Sequence, residues 1–307
     1  MARQVRAYAL GVSAVALWST VASAFKVALR GLDPAQLLFY ASLTSLLVLG
    51  GTLAARGKLR EALRPSGPEL ARSAARGFLN PFLYYLVLFR AYDLLPAQVA
   101  QPLNYTWAVV LAVLSVPVLR QRLSARDAAA CVIAYLGVVV VSLGRANGGG
   151  GSAGGVALAL GSAFIWASYW VWSTLDRRDP VSTLFLSFLF GTPLALLWCA
   201  SVSTLRVAAP GALLGAAYVG VVEMSVAFVL WLSALRLSTS AARIGNLVFL
   251  SPFLSLLLIR LVVGETIRPS TVAGLVLIVG GLVVQGASRL RRGEGDGGTT
   301  GGDHVGG

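Results

Sequence analysis

Ten apolar runs, each about as long as a lipid bilayer is thick, constrain this chain more than any motif it carries. Bounded by charge, Pro or Gly, they read at roughly 7–29, 34–54, 76–95, 97–118, 126–144, 156–175, 181–202, 212–235, 239–263 and 271–288. A hydrocarbon core of ~30 Å takes ~20 residues of helix to cross. Backbone amides and carbonyls find no water there, so only helices and closed barrels span it, and no alternating ten-residue strand pattern is present. The expected fold is therefore all-α and integral to the membrane, with ten transmembrane helices. With 57% hydrophobic and only 12% charged residues among 307, and a mean hydropathy of +0.78, no length remains for an added soluble domain.

A net charge of +13 suggests nucleic acid in a soluble protein. Here the Lys and Arg residues sit between apolar runs and are not interleaved with aromatics, so the charge is read as membrane topology and no nucleic-acid partner is expected. With the N-terminus assigned to the cytoplasm, 17 of them fall on the inner side, among them Arg3, Arg6, six in 55–76, Arg177 and Arg178. Six fall outside: Arg30, Arg90, Arg145, Arg206, Arg260 and Arg268. This places both termini in the cytoplasm of a bacterial-type inner (plasma) membrane. Arg3, Arg6 and Ala22-Ser23-Ala24 imitate a cleavable signal peptide, but an internal repeat makes this run a retained span.

In that repeat, the stretch from Ala91 aligns with the stretch from Ala234 at an offset of 143 to 144, so that Ala108 meets Pro252, Gln121 meets Glu265 and Gly137 meets Gly281. Leu32-Asp33-Pro34 meets Arg178-Asp179-Pro180 at 146, and Trp18 meets Trp166 at 148. The chain thus divides into a five-helix repeat at 1–146, a Gly-rich linker at 147–155, a second five-helix repeat at 156–290 and a disordered cytoplasmic tail at 291–307. The linker lacks the Gly-Lys-Ser/Thr ending of a phosphate loop. An odd number of spans per repeat forces the halves into opposite orientations, the inverted-repeat plan of many secondary transporters, with a central cavity between them.

The second half, through Ala241-Ala242, Leu250-Ser251-Pro252, Gly264-Glu265 and Gly274 to Gly281, resembles the EamA-type repeat of the drug/metabolite transporter (DMT) superfamily, with the first half as its partner. Asn104-Tyr105-Thr106-Trp107 is similar to the Asn-Tyr-x-Trp-Pro element of YddG-type aromatic amino acid exporters, with Ala108 where those have Pro and Gln121 where the repeat favours Glu. The resemblance implies a ten-helix exporter working by alternating access.

A charged side chain at membrane depth costs about 2.5–3.5 kcal/mol on insertion scales, so such residues face a cavity or a partner. Glu223 alone among the carboxylates lies near the middle of a span. Lys26 shares a face of the first span with Trp18 and Ala22, and Arg243 lies a turn inside the ninth, three residues before Asn246. The fourth span carries a polar stripe of Gln98, Gln101 and Tyr105, with Asn104 beside it. The expected cavity residues are Tyr84, Gln101, Asn104, Tyr105, Trp107, Trp166, Trp170, Glu223, Lys26 and Arg243. Glu265, at the end of its span, is read as a packing or capping residue. Aromatic faces, amides and both charge signs suit a small amphipathic or zwitterionic solute, with aromatic or other amino acids the first expectation. No metal or cofactor is expected, since both cysteines, Cys131 and Cys199, lie in apolar runs and the single His304 lies in the tail. The missing embedded Asp and His argue against a membrane enzyme, and no catalytic residue is assigned. A drug, nucleoside or sugar exporter on the same scaffold, or a passive channel, stays compatible. The partners expected are the small-molecule substrate and the bilayer, for a chain working as a monomer.

Overall fold

The computed structural model describes residues 2–107, 152–174, 178–237 and 251–295, with isolated positions between 110 and 140 and Leu247. Helices α1 (Ala2–Ala28) and α2 (Pro34–Ala55) are followed by the short α3 (Leu59–Ala62), then α4 (Gly67–Gly77), a π-helical segment (Phe78–Leu83), α5 (Tyr84–Leu94) and α6 (Ala97–Tyr105). The second half holds α7 (Ala153–Thr174), α8 (Pro180–Val202), α9 (Ala212–Tyr218), a π segment (Val219–Ala227), α10 (Phe228–Leu237), α11 (Ser251–Leu258), a third π segment (Ile259–Val263) and α12 (Pro269–Gly295). Nine of the ten expected spans contain a described helix; the fifth lies mostly outside the described residues. Four helical stretches are long and apolar enough to cross a membrane: Arg3–Ala28, Pro34–Ala55, Pro180–Val202 and Ala212–Trp231. Shorter apolar helices at Ala153–Tyr169, Leu254–Val263 and Pro269–Gly281 add to them. Large side chains point outward from separate helices, with Leu47 67%, Leu197 66%, Leu214 75% and Leu261 70% exposed, a surface that suits lipid and not water.

Local chemistry sets where these helices begin. The Asp33 carboxylate accepts from the Ala35 and Gln36 amides at 2.8 and 2.9 Å, and the Gln36 Oε1 accepts in return from the Asp33 amide at 3.2 Å, a capping box ahead of α2. Asp179 caps α8 at the equivalent place in the other half, accepting from Val181 and Ser182. In the first turn of α4, the Glu69 carboxylate accepts from the amide and hydroxyl of Ser66, which holds its pKa below the usual carboxylate value.

The halves pack by exchange. α4 and its π segment lie on α8, while α9 and its π segment lie on α2; α5 packs on α7 as α1 packs on α10; α6 packs on α7 as α1 packs on α11. Each of these contacts has its counterpart under an exchange of the two repeats. At the closest points a glycine meets a carbonyl. A Cβ on Gly77 would lie 2.4 Å from the Ser187 carbonyl oxygen, and one on Gly220 would lie 2.5 Å from that of Ala41. Gly77 and Gly220 occupy equivalent positions in the two repeats, as do Ala41 and Ser187.

Several boundaries differ from the sequence expectation. The third and eighth spans, read as single runs, are each interrupted by a π segment at corresponding positions. In the first of them Pro81 lacks an amide proton, and Asn80 leaves helical geometry at φ −148°, ψ 119°. In the second, the Ser225 hydroxyl donates to the Gly220 carbonyl five residues back, and Ser45 of α2 donates to the Met224 carbonyl at 3.1 Å, so side chains take up acceptors that a regular ladder would use. The linker ends earlier than expected. α7 starts at Ala153, where the Ser152 hydroxyl accepts from the Gly155 amide at 3.0 Å and Gly155 packs against Leu95, where a Cβ would lie 2.7 Å from its Cγ. At the other end α12 continues to Gly295, so residues 291–295 are helix and not tail, the run Ser288–Arg292 holding no helix breaker.

Candidate substrate cavity

A cavity lies in the middle of the bundle, walled by α1, α5, α6, α7 and the π segment and helix around Glu223. Trp18, Val21, Ala22 and Phe25 of α1 form one wall. Tyr84, Leu88 and Tyr92 of α5, Gln101, Asn104, Tyr105 and Trp107 of the fourth span, Trp166, Glu223 and Trp231 form the rest. The cavity is small, about 60 Å³, and aromatic rings make up much of its wall.

The rings are ordered by mutual contact. Trp166 stacks on Tyr84 with centroids 4.5 Å apart and on Tyr169 at 5.4 Å, and Trp18 meets Trp231 at 5.0 Å. A polar chain runs between them. The Tyr85 hydroxyl donates to Glu223 Oε1 at 3.2 Å, the Tyr84 hydroxyl to Asn104 Oδ1 at 3.5 Å, and Asn104 Nδ2 to the Ser162 hydroxyl at 2.9 Å. The Tyr105 hydroxyl donates to Ser251 at 2.6 Å, joining α6 to α11. Glu223 Oε2 and Gln101 Oε1 are buried with no hydrogen-bond partner.

Seven of the expected cavity residues therefore meet around one space: Tyr84, Gln101, Asn104, Tyr105, Trp107, Trp166 and Glu223. Arg243 and the side chain of Trp170 lie outside the described residues. Lys26 departs from the expectation. Its Nζ donates to the Tyr92 carbonyl at 2.5 Å and it lines a separate space with Asp93, Gln98, Glu265, Thr266 and Arg268. Trp18 and Ala22, on the same face of α1, do line the central cavity; one further turn carries Lys26 past the cavity's end. Gln98, of the same polar stripe as Gln101 and Tyr105, lies at that space too: its amide nitrogen donates to the Thr266 carbonyl at 2.9 Å and its oxygen accepts from the Arg268 amide at 3.0 Å. Glu265 caps α6 from the other half, accepting from the Ala97 and Gln98 amides at 2.9 and 3.2 Å because Pro96 before them offers no side-chain acceptor. Sequence reasoning misses Trp18, Tyr92 and Trp231 as cavity residues. Trp231 stands eight residues beyond Glu223, a spacing that places both on one face of a regular helix and is the signal by which it could be found.

The profile of the EamA-like transporter family matches twice, over residues 5–143 and 153–286. The chain belongs to the EamA-like transporter family. It is thus an integral membrane protein of the DMT superfamily and a transporter, not an enzyme. An uncharacterized transporter of Clostridium kluyveri is 25% identical over 270 residues, covering 85% of this chain and 86% of that one. The uncharacterized transporter YvbV of Bacillus subtilis is 28% identical over 208 residues, covering 66% and 67%. A crystal structure superposes with a TM-score of 0.66 at 24% identity over 94% of this chain and 98% of its own, a likeness of fold.

Proposed function

We propose that this EamA-type carrier is a secondary transporter that exports small amphipathic metabolites bearing an amino group, aromatic amino acids first among them. Glu223 in its aromatic enclosure, between helices that exchange partners across the two repeats, is the observation that carries the reading. Alternating access then consists of the halves exchanging conformations about that cavity, as inverted repeats allow. The similarity of Asn104 to Trp107 to the YddG-type element supports aromatic substrates, and the Lys and Arg distribution supports an inner membrane location with cytoplasmic termini.

The test is counterflow. Liposomes carrying the protein are preloaded with single amino acids or metabolites, and uptake of labelled solute is measured. Stimulation by a preloaded solute identifies a carrier and its substrate; uptake indifferent to the loaded solute would refute the carrier. Trp107→Ala removes one aromatic contact, ~0.5–1.5 kcal/mol beyond its area, and lowers exchange of aromatic solutes severalfold more than that of alanine or serine. A parallel fall for all solutes would make Trp107 a packing residue.

A further inference from the structure

Taken as the transport site, a reading on which this inference rests, the central cavity also discriminates among ligands by the kinds of hydrogen-bonding group it leaves open. Three of its polar donors are committed to protein, Tyr84 to Asn104, Tyr105 to Ser251 and Asn104 to Ser162, and Tyr85, behind the cavity wall, donates to Glu223. Among the described residues, the two lining atoms that are buried without a partner are both acceptors, Glu223 Oε2 and Gln101 Oε1. A buried acceptor left open is costly, and a ligand that donates to it recovers that cost. Glu223 is also the only charged side chain among the described lining residues, since Lys26 faces the neighbouring space. The walls supply indole and phenol faces, Trp18, Trp107, Trp166, Trp231 and Tyr84, whose negative quadrupoles attract a cation.

We propose that the cavity recognises the ammonium and the aromatic body of an organic amine, and that an aromatic amine lacking the α-carboxylate is a better ligand than its parent amino acid. An ammonium brings the donors that Glu223 and Gln101 leave unmet. An α-carboxylate on the carbon that bears the ammonium would instead lie close to the Glu223 carboxylate, a like charge in a poorly hydrated space. The neutral alcohol of the same shape fills the aromatic walls but brings one donor and no charge.

Isothermal titration of the full-length protein in nanodiscs with tryptamine, tryptophan and tryptophol tests this. Tryptamine is expected to bind about tenfold or more tightly than either of the others. Glu223→Gln is expected to bring tryptamine to within about threefold of tryptophol while leaving tryptophol unchanged. Tryptophan binding as tightly as tryptamine, an equal loss for all three ligands in Glu223→Gln, or no binding of any of them would overturn the proposal. If the variant does not fold, the three-ligand comparison on the unaltered protein decides alone. Counterflow separates the two readings. Tight tryptamine binding without counterflow refutes transport and keeps the ligand class; counterflow of amino acids with no preference for amines refutes the ligand class and keeps transport.

Discussion

Gly220→Ala puts a methyl group 2.5 Å from the Ala41 carbonyl oxygen and 2.7 Å from Thr44 Cβ. Carbon–oxygen contacts in proteins settle at about 3.3–3.6 Å, so the π segment and α2 must part by nearly an ångström, and both sides of the contact are backbone or β-branched. Overpacking of this kind costs about 1–3 kcal/mol. Against it stands the gain of about 0.5–1 kcal/mol from replacing glycine in a helix interior. The net expectation is a loss of about 0–2.5 kcal/mol, with its centre near 1 kcal/mol. Gly77→Ala, whose methyl would lie 2.4 Å from the Ser187 carbonyl oxygen and 3.1 Å from the Gly191 amide nitrogen, should lose a similar amount. Gly51→Ala and Gly280→Ala are the controls, since nothing lies within 4 Å of either added carbon, and both should be neutral or slightly stabilised. Thermal unfolding of the four variants in one detergent measures the difference. Gly220→Ala should also slow exchange, because Glu223 rides on the displaced segment. If Gly77→Ala and Gly220→Ala melt with the controls, the helices do not approach this closely and the exchange of contacts between the repeats falls with them.

Glu265→Ala strips the α6 amides of Ala97 and Gln98 of their acceptor and should cost about 1 kcal/mol, read as a lowered unfolding temperature, whereas Glu265→Gln keeps one acceptor and should cost less; equal melting of both variants and the unaltered protein would refute the cap. Single cysteines at Ser66 and Ser152 on a Cys131→Ala, Cys199→Ala background should react with an impermeant thiol reagent from opposite sides of intact cells, and labelling of both from outside would overturn the topology. The Glu69 pKa is depressed by its bonds to Ser66, so the stability it lends α4 is present above the ordinary carboxylate pKa and is lost as pH falls through the depressed one. Amide exchange at the start of α4 should quicken over that acidic window, and Glu69→Gln should abolish the dependence; an unchanged profile in the variant would refute it.

The helical, membrane-spanning character was legible because hydrophobic length is a property of the chain alone. Gln101, Asn104, Tyr105 and Glu223 were legible for a related reason: hydrocarbon penalises such residues wherever the helix goes, so they announce a cavity. The interruption at 219–227 was not, because it draws on Ser45 of α2, far away in the chain, and nothing local distinguishes Gly220, which α2 approaches, from Gly51 or Gly161, which face open space. The placement of Lys26 failed on depth. Helical periodicity fixes a face, but how far along that face the cavity extends depends on the rings of Phe25 and Tyr92 that close it, which meet edge to face at 5.1 Å. The role of Gln98 had no local signal, since its partners lie in the loop that follows the ninth span, more than a hundred and sixty residues away.

The wide turn at Val219–Ala227 has a consequence for how this span can change. An α-turn closes between residues four apart and a π-turn between residues five apart, so the wide turn takes up extra residues and rotates everything after it relative to everything before. Tyr218, ahead of it, lies against α1 on an apolar groove, its hydroxyl 2.7 Å from that of Thr20, while Trp231, beyond it, faces the cavity on the other side of the same helix. The segment acts as a phase shifter between a lipid-facing half-span and a solute-facing one. Loss of a single residue within it would leave length and hydropathy nearly intact, yet it would swing Trp231 away from Trp18 by about a hundred degrees, one residue's worth of helical rotation. In this span the angular phase is as much a part of the specification as the composition.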